Sequence, residues 1–135
     1  MKRSEAREKV FQVIFQKEFY DDFEERYPFL ENELGLKGTQ GRYATATIKG
    51  ILENLEAIDA DIERNLRGWT LERHSKQCIA LLRLGVYELK YNDEIPDLTA
   101  IDEAVKLAHV YCDDNESSFI NGILNHLYKE KQSRE

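Results

Sequence analysis

The sequence has few of the residues that break or staple a chain: two prolines (Pro28, Pro96), two cysteines (Cys78, Cys112), one tryptophan and seven glycines in 135 residues. Cys78 and Cys112 lie far apart and form no CxxC pair. That argues against a disulfide scaffold or a Cys-rich zinc module and suits a reducing compartment. No run approaches the roughly 18 consecutive apolar residues that a membrane-spanning helix needs. Met1-Lys2-Arg3-Ser4-Glu5-Ala6 does not lead into the apolar core of a signal peptide, so a cytoplasmic protein is expected. Sustained alternation, internal repeats and low-complexity tracts are also missing, which removes the usual signals of strands and of solenoids.

What is present describes a folded domain. Apolar residues make up 41% and charged residues 33% of the chain, too apolar for disorder and too charged for a membrane. A single domain of this length buries roughly two-thirds of the surface its unfolded form exposes and needs no staples. Nineteen Lys+Arg stand against 26 Asp+Glu, a net charge of −7, which as a bare sum counts against nucleic acid.

The apolar residues recur with helical period. Val10, Phe11, Ile14, Phe15 and Phe19 form one stripe from about Ser4 to Asp22, and a short helix is expected around Pro28 to Leu34. From about Thr39 to Leu66, Ile48, Ile51, Leu52, Leu55, Ile58, Ile62 and Leu66 share one face of a long amphipathic helix, with Gly68 as its C-cap. The acids Asp59, Asp61 and Glu63 on it read as solvated surface. Thr70 and Ser75 are candidate caps for a turn and for the helix Lys76 to Tyr91, which is apolar almost all round and so belongs at the centre of the fold. Pro96 breaks the chain, Ile101, Ala104, Val105, Ala108 and Val110 mark the next helix, and Phe119 to Tyr128 the last, opened by Asn115 or its neighbours. The expected fold is all-α, in an N-terminal lobe of about residues 1–68 and a C-terminal lobe of about 69–135.

Nothing specifies catalysis. No GxSxG or HExxH is present, and Gly35 to Gly41 lacks the Gly-Lys-Ser/Thr ending of a phosphate loop, so it reads as a connector. His109 and Cys112 have a spacing that can hold two metal ligands, but no second pair accompanies them. His74 and His126 read as surface or capping residues.

The charge is segregated along the chain. Residues 1–20 carry Lys2, Arg3, Arg7, Lys9 and Lys17 against three acids, a net +2, whereas residues 21–34 carry six acids and only Arg26, a net −5. Arg3 and Arg7, spaced i,i+4 beside Lys2, can meet a phosphate backbone. Phe119 follows a polar run at the start of a helix, where an aromatic ring can stack on an unpaired base; packing as a core phenylalanine is the alternative.

These words carry a resemblance: Gly68-Trp69-Thr70-Leu71-Glu72-Arg73, Leu82-Arg83-Leu84-Gly85-Val86-Tyr87-Glu88-Leu89, Ile95-Pro96, Ile101-Asp102-Glu103-Ala104-Val105-Lys106-Leu107-Ala108 and Phe119-Ile120-Asn121-Gly122-Ile123-Leu124, with Ala6-Arg7-Glu8 near the opening. In order and spacing the chain resembles the NusB family of bacterial transcription antitermination factors over essentially its whole length. The resemblance implies two small helical bundles packed across one another, no catalysis and no cofactor. It also implies binding of boxA RNA in nascent ribosomal RNA transcripts together with the small-subunit ribosomal protein NusE, which helps RNA polymerase read through terminators. Carried onto this chain, the family's RNA face falls on Lys2, Arg3, Arg7, Phe15, Asn115, Ser118 and Phe119. Ser4 and Glu5 interrupt the arginine run common in the family, Phe15 replaces a frequent tyrosine and Ser118 a frequent lysine. Weak RNA binding alone, and tighter binding with NusE, is therefore expected. At Cys78-Ile79 the family usually has a charged pair.

Two other readings stay open: a helical protein-binding module without RNA affinity, and a stand-alone relative of the helical domain that precedes the catalytic domain in an RNA cytosine methyltransferase family. Arg83, Glu88, Glu103 and Asn121 are expected to satisfy one another across helices, because an unpaired buried charge costs several kcal/mol. Gly85 and Gly122 are expected at close helix crossings.

Overall fold

A segment apolar on every side has to lie where other elements can cover it, and Lys76–Tyr91 does. The computed structural model describes residues 2–66 and 71–134, apart from the side chains of residues 29–31, 33 and 72. In chain order its elements are α1 (Arg3–Lys17), α2 (Phe23–Leu34), α3 (Gly38–Glu53), α4 (Leu55–Glu63), a 3-10 turn (Leu71–Arg73), α5 (Lys76–Tyr91), α6 (Asp97–Tyr111) and α7 (Asp114–Ser133). Helix α5 packs against α1, α3, α4, α6 and α7. Its Leu81, Leu82, Leu84 and Val86 are fully buried and join Val10, Ile14, Ile48, Ile51, Ile58, Ile62, Ile120 and Leu124 in one continuous core. The all-α expectation holds across the described residues.

Several boundaries moved for local reasons. Helix α1 stops at Lys17, short of the expected Asp22, because the chain tightens: the N–H of Phe19 bonds the carbonyl of Gln16 at 3.0 Å. Phe19 thus falls outside the stripe and is 53% exposed. Helix α2 begins a turn before Pro28 because Phe23 is buried in the core, at 1% exposure, and fixes the chain there. It ends at Gly35, whose left-handed φ of 62° only glycine takes without cost.

The single long helix expected over 39–66 is two. The side-chain amide of Asn54 donates to the Gly50 carbonyl at 2.8 Å while its own backbone N–H bonds the same oxygen at 3.1 Å. This local competition of an asparagine with the helical ladder separates α3 from α4 without interrupting their shared apolar face. Gly68 and Thr70, the expected caps, lie outside the described residues. Ser75 does cap α5, its hydroxyl accepting from the Cys78 N–H at 3.1 Å, and Asp113 caps α7 by accepting from the Glu116 N–H at 2.7 Å. Val110 breaks the three-and-four spacing of α6 and is 70% exposed.

The buried polar residues pair differently from expectation. Arg83 meets Asp59, at 2.9 Å through two nitrogens, and Glu18; Asp61 meets Arg64 at 3.1 Å and Lys90 at 2.5 Å. Two acids read as solvated surface are therefore ties between α4, α5 and the end of α1. Asn121 is exposed and bonds Asn125, not the buried charges. Gly85 does mark a close crossing, since a Cβ there would stand 2.8 Å from Leu124 and 3.3 Å from Ala104. Gly122 does not; nothing lies within 4 Å of its missing Cβ, whereas at Gly50, unremarked in the sequence, a Cβ would collide with the Tyr87 hydroxyl at 2.2 Å and its ring at 2.3 Å.

Candidate nucleic-acid interface

Apart from Arg7, the expected site residues fall into two groups, one at the start of α1 and one spread over its far end and the start of α7. Lys2 is exposed immediately before α1. Arg3 is half-buried: its guanidinium lies 4.1 Å over the Tyr43 ring and its Nε donates to Gln40 Oε1 at 2.7 Å. The aromatic face and the single hydrogen bond hold the fork in place while leaving other donors for an anion.

Arg7 is elsewhere. Although it follows Arg3 by one turn, it is 3% exposed, and its Nε donates to Glu88 Oε1 at 2.7 Å and its Nη2 to Glu88 Oε2 at 3.3 Å. Glu103 adds a contact at 3.5 Å and the Tyr43 hydroxyl donates to Glu88 at 2.8 Å. Burial works to lower the Arg7 pKa, but the hydrogen bonds and charge of Glu88 hold the guanidinium above its ordinary value. Burial, then Glu88, likewise pushes the Tyr43 phenol up. The structure thus gives Arg7 to an interior carboxylate rather than to the surface, because turning one step around α1 takes the side chain from the rim to the seam with α5.

The second group lies toward the far end of α1. Phe15 is twelve residues from Arg3, about 18 Å along the axis at 1.5 Å per residue. It stands 6.0 Å from Phe11 and 5.0 Å from the exposed Phe19. Phe11 in turn meets Tyr111 at 4.7 Å, and the Tyr111 hydroxyl donates to Glu8 at 2.9 Å. Tyr111 ends α6 just before the chain turns into α7, so this aromatic cluster adjoins the segment that carries Asn115, Ser118 and Phe119. Asn115 and Ser118 are exposed and, three residues apart on α7, share a face.

Phe119 is half-buried, with its ring stacked on the His74 imidazole at 4.4 Å and 8° between planes. It also borders an open groove of about 630 Å³ lined by Arg64, Asn65, Leu66, Gly122, Ile123 and His126. The sequence reading missed His74 as a partner, since nothing local joins residues 45 apart. It also missed Lys76, whose ammonium lies 4.2 Å over Phe19.

The electrostatics of the two ends differ. Asp113, Asp114 and Glu116 surround the start of α7; they favour the helix N-terminus and disfavour phosphate. Glu116 is further held by the Ser75 hydroxyl. This end offers rings and amide or hydroxyl groups suited to base edges and faces, while the Lys2–Arg3 end offers the charge. Among the described residues no three His, Cys, Asp or Glu gather as metal ligands, and His109 is exposed while Cys112 is the C-cap that follows α6. No helix among them is long and apolar enough to cross a membrane.

Comparison with known proteins agrees in sequence and shape. The model of the NusB family matches residues 4–129. The transcription antitermination protein NusB of Listeria monocytogenes serotype 4a is 39% identical over an alignment of 138 positions, covering 96% of this chain and 98% of that protein. The solved structure of T. maritima NusB superposes with a TM-score of 0.87 at 37% identity, over 96% of this chain and 92% of that one. A structure of the antitermination factors NusB and NusE in complex with double-stranded RNA superposes with a TM-score of 0.82 at 26% identity, over 95% and 96% of the two chains. With a family model spanning nearly all of its length and a full-length relative at this identity, the chain belongs to the NusB family.

Proposed function

We propose that this protein is a non-catalytic transcription antitermination factor that binds boxA-type RNA of nascent ribosomal RNA transcripts together with NusE and promotes read-through by RNA polymerase, in the cytoplasm. The observation that carries the reading is the match, over 95% of the chain, to NusB in a complex with NusE and RNA. The chain's two lobes, about residues 1–68 and 69–135, act in it as one binding unit.

In this reading Lys2 and Arg3 meet phosphates, while Phe15, Asn115, Ser118 and Phe119 contact bases. Arg7 supports the face from beneath through Glu88. Two phosphate contacts give a shallow salt dependence, with log affinity falling against log salt at a slope of about −1.4 on single-stranded RNA.

The test is a titration of labelled boxA RNA, single- and double-stranded, with the protein alone and with NusE. Weak binding of the single strand, strengthened by NusE, is the expected result. Phe119→Ala should weaken it by roughly 1–3 kcal/mol if the ring stacks on a base, and Phe119→Leu, which keeps the packing, should lose a similar amount. Absence of binding with and without NusE would refute the RNA reading. The exposed Phe19 and Tyr20, at 53% and 40%, favour a second reading as a protein-binding module. Capture of NusE with no RNA affinity would establish it instead.

A further inference from the structure

The cations that tie the helices together are met by carboxylates: Arg7 by Glu88, Arg83 by Asp59, Arg64 by Glu130, Lys90 by Asp61 and Lys131 by Asp97. One groove is lined by cations and, among the described residues, by no acid. Residues 34–52 hold three cations, Lys37, Arg42 and Lys49, and no Asp or Glu. All three are exposed, and all three line one open groove of about 740 Å³ between the end of α2 and α3. None is ion-paired to a described carboxylate; the Arg42 guanidinium donates to the Thr39 hydroxyl at 3.3 Å. Gly35, Gly38 and Gly41 form part of the wall, so no side chain there stands between a ligand and the backbone. Arg42 and Lys49, seven residues apart, point to one side of α3 at about 10 Å spacing along its axis.

The groove is continuous with the charged end of the site described above. Arg42 also borders a smaller depression lined by Arg3, Tyr43, Tyr87 and Glu94, so the positive surface runs from Arg3 across Arg42 to Lys37 and Lys49. A three-cation surface left unneutralised in a chain of net −7 fits a polyanion, and the neighbouring Arg3 indicates which one.

We propose that the α2–α3 groove binds the phosphate backbone of the RNA strand where it runs on beyond the segment held at Arg3 and α7. This rests on the RNA reading of the function. The contact is to phosphates, so it is indifferent to sequence and adds length dependence rather than specificity.

The experiment uses the full chain with two kinds of single-stranded RNA. One is a boxA-type strand of about 12 nucleotides, within the usual site size of a compact binder; the others carry the same strand lengthened at its 5′ or 3′ end. One lengthened strand should bind more tightly than the short one. Three added phosphate contacts steepen its salt slope by about 2, so that raising salt from 50 to 200 mM costs it roughly twentyfold more affinity than it costs the short strand. The variant Lys37→Glu, Arg42→Glu, Lys49→Glu should bind the short strand as the wild type does and lose the gain on the long one. Lys37→Gln, Arg42→Gln, Lys49→Gln should lose the added salt slope without introducing repulsion. Equal affinities for short and long strands in the wild type would overturn the groove and leave the boxA reading standing. Binding of the long strand only, abolished by the triple variant, would support the groove and refute the α1–α7 face. Failure of every strand to bind would overturn both. Loss of NusE affinity in the triple variants, with no length effect on RNA, would assign the groove to a protein partner and overturn the proposal.

Discussion

Arg7 is the residue at which a surface role and a buried role make opposite predictions. Arg7→Met keeps most of the side chain's bulk and removes its charge, leaving Glu88, whose side chain is 1% exposed, with the Tyr43 hydroxyl as its remaining hydrogen-bond donor. Glu103, at 3.5 Å and with a side chain 20% exposed, can turn to water and loses little. Removing one partner of a buried ion pair costs about 3–5 kcal/mol, because the other charge is left uncompensated. That is a large part of the roughly 5–15 kcal/mol by which domains are stable. At about 3–5 °C per kcal/mol for a domain of this size, the melting midpoint should fall by roughly 10–20 °C. The double variant Arg7→Met, Glu88→Gln removes the stranded charge while keeping an acceptor for Tyr43, and should recover more than half of the loss. Urea unfolding of the wild type, both single variants and the double variant gives the coupling between the two sites. RNA titration at a temperature where Arg7→Met is folded should give wild-type affinity. A loss of stability under about 1 kcal/mol combined with a tenfold loss of RNA affinity would refute the buried role and return Arg7 to the phosphate contact.

The glycines make a paired prediction. Gly122→Ala, in open space within α7, should gain about 0.5–1 kcal/mol from helix propensity, whereas Gly50→Ala must push the Tyr87 ring off its stack on Tyr91 and should lose about 1–3 kcal/mol, both read from urea melts. The Glu130 carboxyl is held down to about 2, first by its hydrogen bond from Arg64. Because its folded pKa lies below the unfolded one, the stabilisation is present above pH 4.5 and drains away as pH falls toward 2. Glu130→Gln should cost no more than about 1 kcal/mol at pH 7, and its difference from the wild type should close over that window in acid titrations of stability. Burial and the nearby Glu116 push the Cys112 thiol up to about 11. Roughly one part in a thousand is then thiolate at pH 8, and alkylation should run far slower than for a free thiol.

Much of the fold was legible because it rests on period. The stripes in α1, α3 and α4 and the all-round apolarity of Lys76–Tyr91 are local patterns, and Ser75 and the polar run before α7 are local caps. The break at Asn54 was not legible, since an asparagine side chain that takes a carbonyl from the ladder has the same sequence as one that faces water. Of the expected RNA residues, the exposed Lys2, Asn115 and Ser118 stand at surfaces, Arg3, Phe15 and Phe119 stand at half-buried rims, and Arg7 is interior.

By itself the sequence determined that the chain is helical, that α5 lies at the centre, and that charge is segregated by segment, because apolar periodicity and composition are properties of neighbours along the chain. Only the tertiary structure decided which charges are spent inside and which are left over. Arg3 and Arg7 differ by one turn of a helix, yet one lies at the rim on Tyr43 and the other is locked to Glu88, 81 residues away. Pairing of that kind depends on distance through space, and it is what leaves Lys37, Arg42 and Lys49 as positive surface on a protein whose total charge is −7.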